Sequence, residues 1–176
     1  MNHIKQALAT VPMPANIAAL PRDKRGLPIP ASAFIRPDGT PDFTVINPER
    51  WASLVKVRGC GVCGMPLEEL LWFIGGPVSH QTHMFFDHPM HKECAEYALQ
   101  VCSYLALPRM TYRKQQDRNV REVKGASSER GERTMLASTA SYRVVQFQGE
   151  VFLQASEWIT VQWWKEGKQL TEVEAT

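Results

Sequence analysis

The sequence has little net charge and no long hydrophobic segment. Its formal net charge is +2 over 176 residues, so it has neither the basic excess typical of many nucleic-acid binders nor an acidic tail. No apolar run approaches the roughly 20 residues that a membrane-spanning helix needs. The amino terminus lacks a charged-then-apolar leader pattern. We therefore expect a cytoplasmic protein with no membrane partner, and a hydrophobic content of 44% is sufficient for a core.

The sequence also lacks the motifs of common enzyme classes. It shows no nucleophile beside a base, no glycine-rich phosphate loop and no paired carboxylates in a recognisable motif. We therefore favour a binding protein over an enzyme. Cysteine is scarce as well, with four residues in the chain. Two disulfides are one use for them, but without a leader segment their spacing beside a histidine favours a metal site.

Four metal-binding side chains recur as two close pairs. Cys60 and Cys63 form a Cys-x-x-Cys turn among several glycines, which provide the backbone freedom that a tight turn needs. His91 and Cys94 repeat the same spacing at the start of a helical pattern. Four protein ligands complete a tetrahedral coordination sphere, which is typical of structural zinc. We predict one structural Zn²⁺ bound by Cys60, Cys63, His91 and Cys94.

The remaining patterns predict an α+β protein in four parts. Eight prolines lie between residues 12 and 48, which argues against long helices and central strands there. Charge and low apolar content mark a linker after Pro108, and period-two alternation begins near Ser141. The predicted parts are an extended proline-rich arm with a short helix (1–58), a treble-clef-like zinc module (59–107), a basic mobile loop (108–137) and an antiparallel β-meander that packs on the zinc module (138–176).

Local signals place several elements within these parts. Pro48 at a first helical position predicts a helix over 48–56. The apolar run 70–74 predicts a buried strand, and we expect 78–86 to return antiparallel to it. A helix beginning near His91 and ending before Pro108 places Cys102 on its apolar face, so we expect a buried thiol there.

Three segments of the chain resemble a family of small uncharacterised proteins from bacteriophages and bacterial genomes. They are Leu20-Pro21-Arg22-Asp23, the cysteine turn through Leu67, and the His91-Lys92-Glu93-Cys94-Ala95-Glu96-Tyr97-Ala98 helix start. The resemblance implies a phage or prophage setting and the same four zinc ligands, and it carries no known activity. On this basis we expect an accessory or counter-defence factor that binds a host protein.

Three further histidines lie between the two ligand pairs. His80 and His83 have the spacing of a ligand pair, and His88 precedes His91 in a way that is similar to HNH nucleases, which share the treble-clef frame. The similarity fails in detail, because this helix contains no asparagine and its histidine is used for zinc. We therefore interpret His80, His83 and His88 as loop residues without an assigned role, and nuclease activity as a minor alternative.

Two stretches are candidate partner surfaces. Trp158, Trp163 and Trp164 lie in one predicted strand, with Trp158 and Trp164 on one face and Trp163 on the other. We expect one of these faces to bind a host protein or a second copy, the alternative being that both are buried within the chain. Nucleic-acid binding through residues 109–133 is the competing hypothesis. The basic residues of that stretch considered for it are Arg109, Arg113, Lys114, Arg118, Arg121 and Lys124.

Overall fold

The structure is a computed structural model that describes residues 3–107 and 132–171. This part of the chain forms helices and three antiparallel sheets, and none of its helices is long and apolar enough to cross a membrane. The helices are α1 (His3–Thr10), α2 (Ala15–Ala18), α3 (Pro48–Val57), α4 (Pro77–Thr82), α5 (Lys92–Val101) and α6 (Ser103–Ala106). The strands are β1 (Ala33–Ile35), β2 (Pro41–Ile46), β3 (Leu71–Gly75), β4 (Met84–Phe85), β5 (Thr134–Thr139), β6 (Tyr142–Phe147), β7 (Glu150–Ala155), β8 (Thr160–Lys165) and β9 (Lys168–Gln169).

The amino-terminal region is more structured than an extended arm. Its prolines separate short elements, so that α1 and α2 precede an antiparallel β1–β2 hairpin. The predicted helix at Pro48 is confirmed as α3. The Asn47 side chain caps it by accepting hydrogen bonds from the Glu49 and Arg50 amides at 3.0 and 3.1 Å. Arg58 ends α3 in the left-handed conformation, and the chain then enters the cysteine turn.

A four-stranded sheet of order β3-β5-β8-β9 separates two hydrophobic cores. One face, which includes Trp72, Leu136 and Trp164, packs against α5 and forms the first core. The other face packs against the three-stranded sheet β4-β7-β6 and forms the second core. Alternating side chains of each strand thus enter different cores, and all six residues of β5 are buried because β5 has a strand on each side and a layer on each face.

The predicted partner of β3 is wrong. Residues 78–86 do not return along β3, because Pro77 begins helix α4 and the short β4 that follows pairs with β7. The partner of β3 is β5, with Leu71 opposite Thr139. The apolar content of 78–86 suggested a strand, whereas Pro77 at the first position of α4 is compatible with a helix start.

The predicted boundary at residue 137 and the predicted meander are also wrong. The central strand β5 already begins at Thr134, so 134–137 belong to the folded core. The third predicted strand, β8, pairs with β5 and β9 and lies in a different sheet from β6 and β7. The basic residues considered for nucleic-acid binding, from Arg109 to Lys124, lie outside the described residues.

The β6–β7 hairpin is confirmed, with a turn at Gln148-Gly149 in which both residues have positive φ. The predicted tryptophan faces are wrong for Trp158, because it precedes β8 and does not share the alternation of that strand. Trp158 and Trp163 pack against the second core and are half-buried. Trp164 is buried in the first core, beside α5. All three tryptophans therefore have packing partners within the chain.

Candidate metal centre

The first two ligands lie on a tight turn between α3 and β3. The Cys60 amide donates to the Met65 carbonyl and the Gly64 amide donates to the Cys60 carbonyl, both at 2.8 Å. Gly64 has a φ of +76°, a conformation that side chains disfavour. A Cβ on Gly61 would approach the His88 Cβ to 2.9 Å. Backbone conformation and close packing thus explain these two glycines, and the turn directs both sulfurs inward.

The other two ligands come from the start of α5. His91 is the N-cap residue of this helix and Cys94 lies in its first turn, as the spacing predicted. Trp72 and Met90 exchange backbone hydrogen bonds of 3.0 and 2.8 Å, which fixes the start of α5 against β3. The Gly61 amide also donates to the Pro89 carbonyl at 3.0 Å. These backbone bonds bring the turn and the helix start together.

The four side chains form one buried cluster. Their ligand atoms all lie within 4.8 Å of one another, and each residue is buried. The His91 Nδ1 lies 3.3 Å from the Cys63 Sγ and 3.9 Å from the Cys94 Sγ. Bond lengths of about 2.0–2.3 Å to a tetrahedral zinc ion separate neighbouring ligand atoms by roughly 3.5–3.8 Å. The cluster therefore has the size and the donor set to hold a metal ion.

A contact outside the cluster orients the imidazole. The His91 Nε2 lies 2.9 Å from the Pro66 carbonyl oxygen and donates to it. The proton is thereby placed on Nε2, which leaves the Nδ1 lone pair directed at the sulfurs. A second bond of this kind is characteristic of metal-ligating histidines.

The side chains of the cluster shift one another's pKa values. A hydrogen bond from the Cys94 thiol lowers the pKa of Cys60 to about 5 and raises the pKa of Cys94. Burial raises the pKa of Cys63. Burial by itself lowers the pKa of His91, but the bond to Pro66 and the charge on Cys60 together raise it. A bound cation would displace the thiol protons, because metal ligation requires thiolates and a neutral imidazole.

Asn16 is a contact residue that sequence reasoning missed. Its Nδ2 lies 3.3 Å from the Cys94 Sγ and 3.6 Å from the Cys63 Sγ. The same nitrogen is 3.3 Å from the Glu93 Oε1. A lone asparagine in a proline-rich segment carries no metal motif, so only the folded chain brings it to the cluster.

The predicted burial of Cys102 is wrong. Its thiol is exposed, because α5 ends at Val101 and Cys102 has an extended backbone between α5 and α6. The break turns the side chain away from the apolar face on which helical spacing had placed it. The ligand cluster does not contain Cys102.

The three histidines between the two Cys/His pairs lie outside the ligand cluster. His88 is buried, with its Nε2 3.0 Å from the Trp51 carbonyl oxygen and its ring against the Trp51 indole. The His80 ring contacts Trp163, and the His83 ring stacks on Trp158 with centroids 4.5 Å apart. His80 and His83 therefore pack against aromatic rings and do not form a ligand pair.

His83 also lines an open polar groove of about 560 Å³ between the end of α4 and the β6–β7 hairpin. The His83 Nδ1 lies 3.0 Å from the Ser156 carbonyl oxygen and donates to it. Arg143 on the opposite wall is held by a 2.8 Å bond from its Nε to the Gln154 side chain. The groove is separate from the metal centre, and its His83 and Arg143 side chains are both hydrogen-bonded within the chain.

The fold and cluster define the class of protein as a mixed helix and antiparallel-sheet protein with a buried Cys₃His centre that can hold a metal ion. Comparison with protein-family models, curated proteins and solved structures found no match to this chain.

Proposed function

We propose that the cluster binds one zinc ion and that this ion is structural. The observation that carries the proposal is the burial of Cys60, Cys63, His91 and Cys94 with their ligand atoms within 4.8 Å. Three sulfurs and one imidazole nitrogen suit zinc, and four protein ligands leave no open position on a tetrahedral ion. The three cysteines also belong to the core that packs α5 against the central sheet. The ion would thus join the turn, the helix and the core.

We further propose a treble-clef-like arrangement for the ligands. Supporting this are the order of the parts and the backbone pairing of Trp72 with Met90, which joins β3 to the segment that leads into α5. In this chain β3 is extended into a larger sheet by β5, so the zinc module would be one layer of the whole domain rather than a separate finger.

We propose that the domain acts by binding a protein, in keeping with the resemblance to phage-encoded proteins and the expected role as an accessory or counter-defence factor. Exposed apolar side chains on the β6–β7 hairpin support a protein partner that makes apolar contacts. Val144 and Val151 lie on one face of the hairpin and are 50% and 43% exposed, and Phe147 lies on the other face and is 54% exposed. The tryptophans are less suited to this role, because Trp164 is buried and the other two pack against His80 and His83.

Metal analysis of the purified full chain tests the zinc proposal. We expect one zinc per chain, and a lower thermal midpoint of the core when a strong chelator removes it, because metal binding and folding are coupled at a structural zinc site. A Cys63→Ser variant that, in chelator, keeps the fold and the thermal midpoint of the zinc-loaded wild type would contradict the proposal.

Titration with duplex and single-stranded DNA tests the kind of partner. A nucleic-acid binder that neutralises 6–10 phosphates loses about 10³- to 10⁵-fold in affinity between 50 and 200 mM salt. We expect no DNA binding whose affinity falls this steeply with salt concentration. Steeply salt-dependent binding would instead support the alternative of a basic nucleic-acid interface.

A further inference from the structure

We propose that Asn16 is an outer-sphere ligand of the metal centre, through which the amino-terminal segment of residues 3–18 is coupled to metal binding. This inference rests on the proposed Cys₃His metal site. The Asn16 amide lies 3.3 Å from the Cys94 Sγ and 3.6 Å from the Cys63 Sγ. It therefore meets one sulfur from each ligand pair.

The orientation of the Asn16 amide is set by the backbone. Its Oδ1 accepts a hydrogen bond from the Ile17 amide at 3.0 Å, so the Nδ2 hydrogens point towards the sulfurs. The reverse orientation would direct the carbonyl oxygen at two sulfurs and at the Glu93 carboxylate. The hydrogen-bond network therefore selects the donor orientation.

The negative charge expected on a loaded metal centre explains why an N–H donor would stabilise it. Three thiolates, a neutral imidazole and a divalent cation have a net charge of −1 in a buried position. An N–H group that donates to a charged acceptor forms a hydrogen bond roughly twice as strong as a neutral pair. Asn16 would thus stabilise the loaded centre by donating to Cys63 and Cys94.

The same contact ties the amino-terminal segment to the zinc module. Ile17, next to Asn16, has no exposed surface and lies in the core cluster with the three ligand cysteines. Ala7 of α1 lies in that cluster as well, and α1 packs against α5. A bound cation would hold the anionic sulfurs together, and these sulfurs would accept hydrogen bonds from the Asn16 amide. Metal binding and docking of the segment should therefore favour each other, because such coupling is reciprocal.

Cobalt binding to the full chain tests the first half of the proposal, with Co²⁺ as a spectroscopic probe. Asn16→Ala removes the donor, and Asn16→Asp places a carboxylate of similar shape beside the sulfurs and Glu93. Loss of such an outer-shell partner typically lowers metal affinity by about 10- to 100-fold, and we expect a larger loss for Asn16→Asp. Gln6→Ala removes an exposed amide on the same segment and is the matched control.

The energy of the thiolate-to-cobalt charge-transfer band separates hydrogen bonding from packing. An N–H donor stabilises the sulfur lone pairs, so its removal in Asn16→Ala should move the band to lower energy. Gln6→Ala should leave the band and the affinity unchanged. An unchanged band and unchanged affinity in both Asn16 variants would overturn the inference, whereas a wild-type chain that shows no such band would overturn the metal site itself.

Limited trypsin digestion tests the second half of the proposal. The cleavage sites of interest are Lys5, within the segment, and Arg22 and Arg25, in the turn that follows it. We expect slow cleavage of the cobalt-loaded wild type, and faster cleavage both after chelation and in loaded Asn16→Ala. Equal cleavage rates in all three states would show that the segment is held without the metal and would overturn the coupling.

Discussion

Replacing Cys94 by serine should destabilise the domain strongly, whereas the same change at Cys102 should not. Cys94 has no exposed surface and lies in both the ligand cluster and the first core. Cys102 is exposed and outside the cluster. Each substitution replaces one sulfur atom by oxygen. The difference between their effects on the free energy of unfolding therefore reports the contribution of the metal site and its packing.

The magnitude for Cys94→Ser follows from the loss of ligand binding. A metal at a free concentration 1,000-fold above its Kd stabilises the folded state by about 4 kcal/mol. Most of this is lost if the missing ligand weakens binding by a similar factor. A buried serine hydroxyl without a partner adds about 1–3 kcal/mol. We therefore expect a loss of about 5 kcal/mol for Cys94→Ser and less than about 0.5 kcal/mol for Cys102→Ser.

Urea unfolding followed by tryptophan fluorescence measures both variants, because Trp72 and Trp164 lie in the same core as Cys94. With a slope of about 2 kcal/mol per molar urea, the expected loss lowers the midpoint by roughly 2 M or more. The wild type in chelator should approach the Cys94→Ser midpoint in zinc. Equal midpoints for Cys94→Ser and Cys102→Ser, or a wild type unaffected by chelation, would refute the reasoning.

Three further predictions concern the cluster, the second core and a helix cap. Burial raises the pKa of Cys63, and the bond to Cys60 raises that of Cys94. Metal binding should thus release about two protons, so chelator competition should show an affinity that rises roughly 100-fold per unit between about pH 7.5 and 8.5. Phe73→Ala should cost about 3–5 kcal/mol in urea unfolding, because its ring is fully buried. Asn47→Ala should cost about 1 kcal/mol in the same assay, because it removes two hydrogen bonds at the start of α3.

Elements set by neighbouring residues were predictable. The Cys-x-x-Cys turn, the start of α3 at Asn47-Pro48 and the β6–β7 turn at Gln148-Gly149 all depend on local backbone preferences. The clustering of the four Cys and His residues was predictable for the same reason, since each pair spans one turn. Hairpin β6–β7 needs only its own turn to set the register.

Elements set by distant residues were not predictable. The strand β5 has few large side chains and follows a charged stretch, yet it is the most buried strand because β3 and β8 flank it. Its partner β3 lies far away in the sequence, and no local pattern states which strands pair. For the same reason, residues 78–86 were wrongly predicted to pair with β3, and β8 was wrongly predicted to lie in the sheet of β6 and β7.

The sequence by itself determined the donor set of the candidate metal site, in that three thiols and an imidazole at fixed spacing follow from residue type and local geometry. The tertiary structure alone decided what surrounds that chemistry. It brought Asn16 to the sulfurs of Cys63 and Cys94, turned Cys102 outward at the break after α5, and placed Trp164 in the core. The physical reason is that these outcomes depend on how layers pack and which strands pair, and such contacts join residues far apart in the chain.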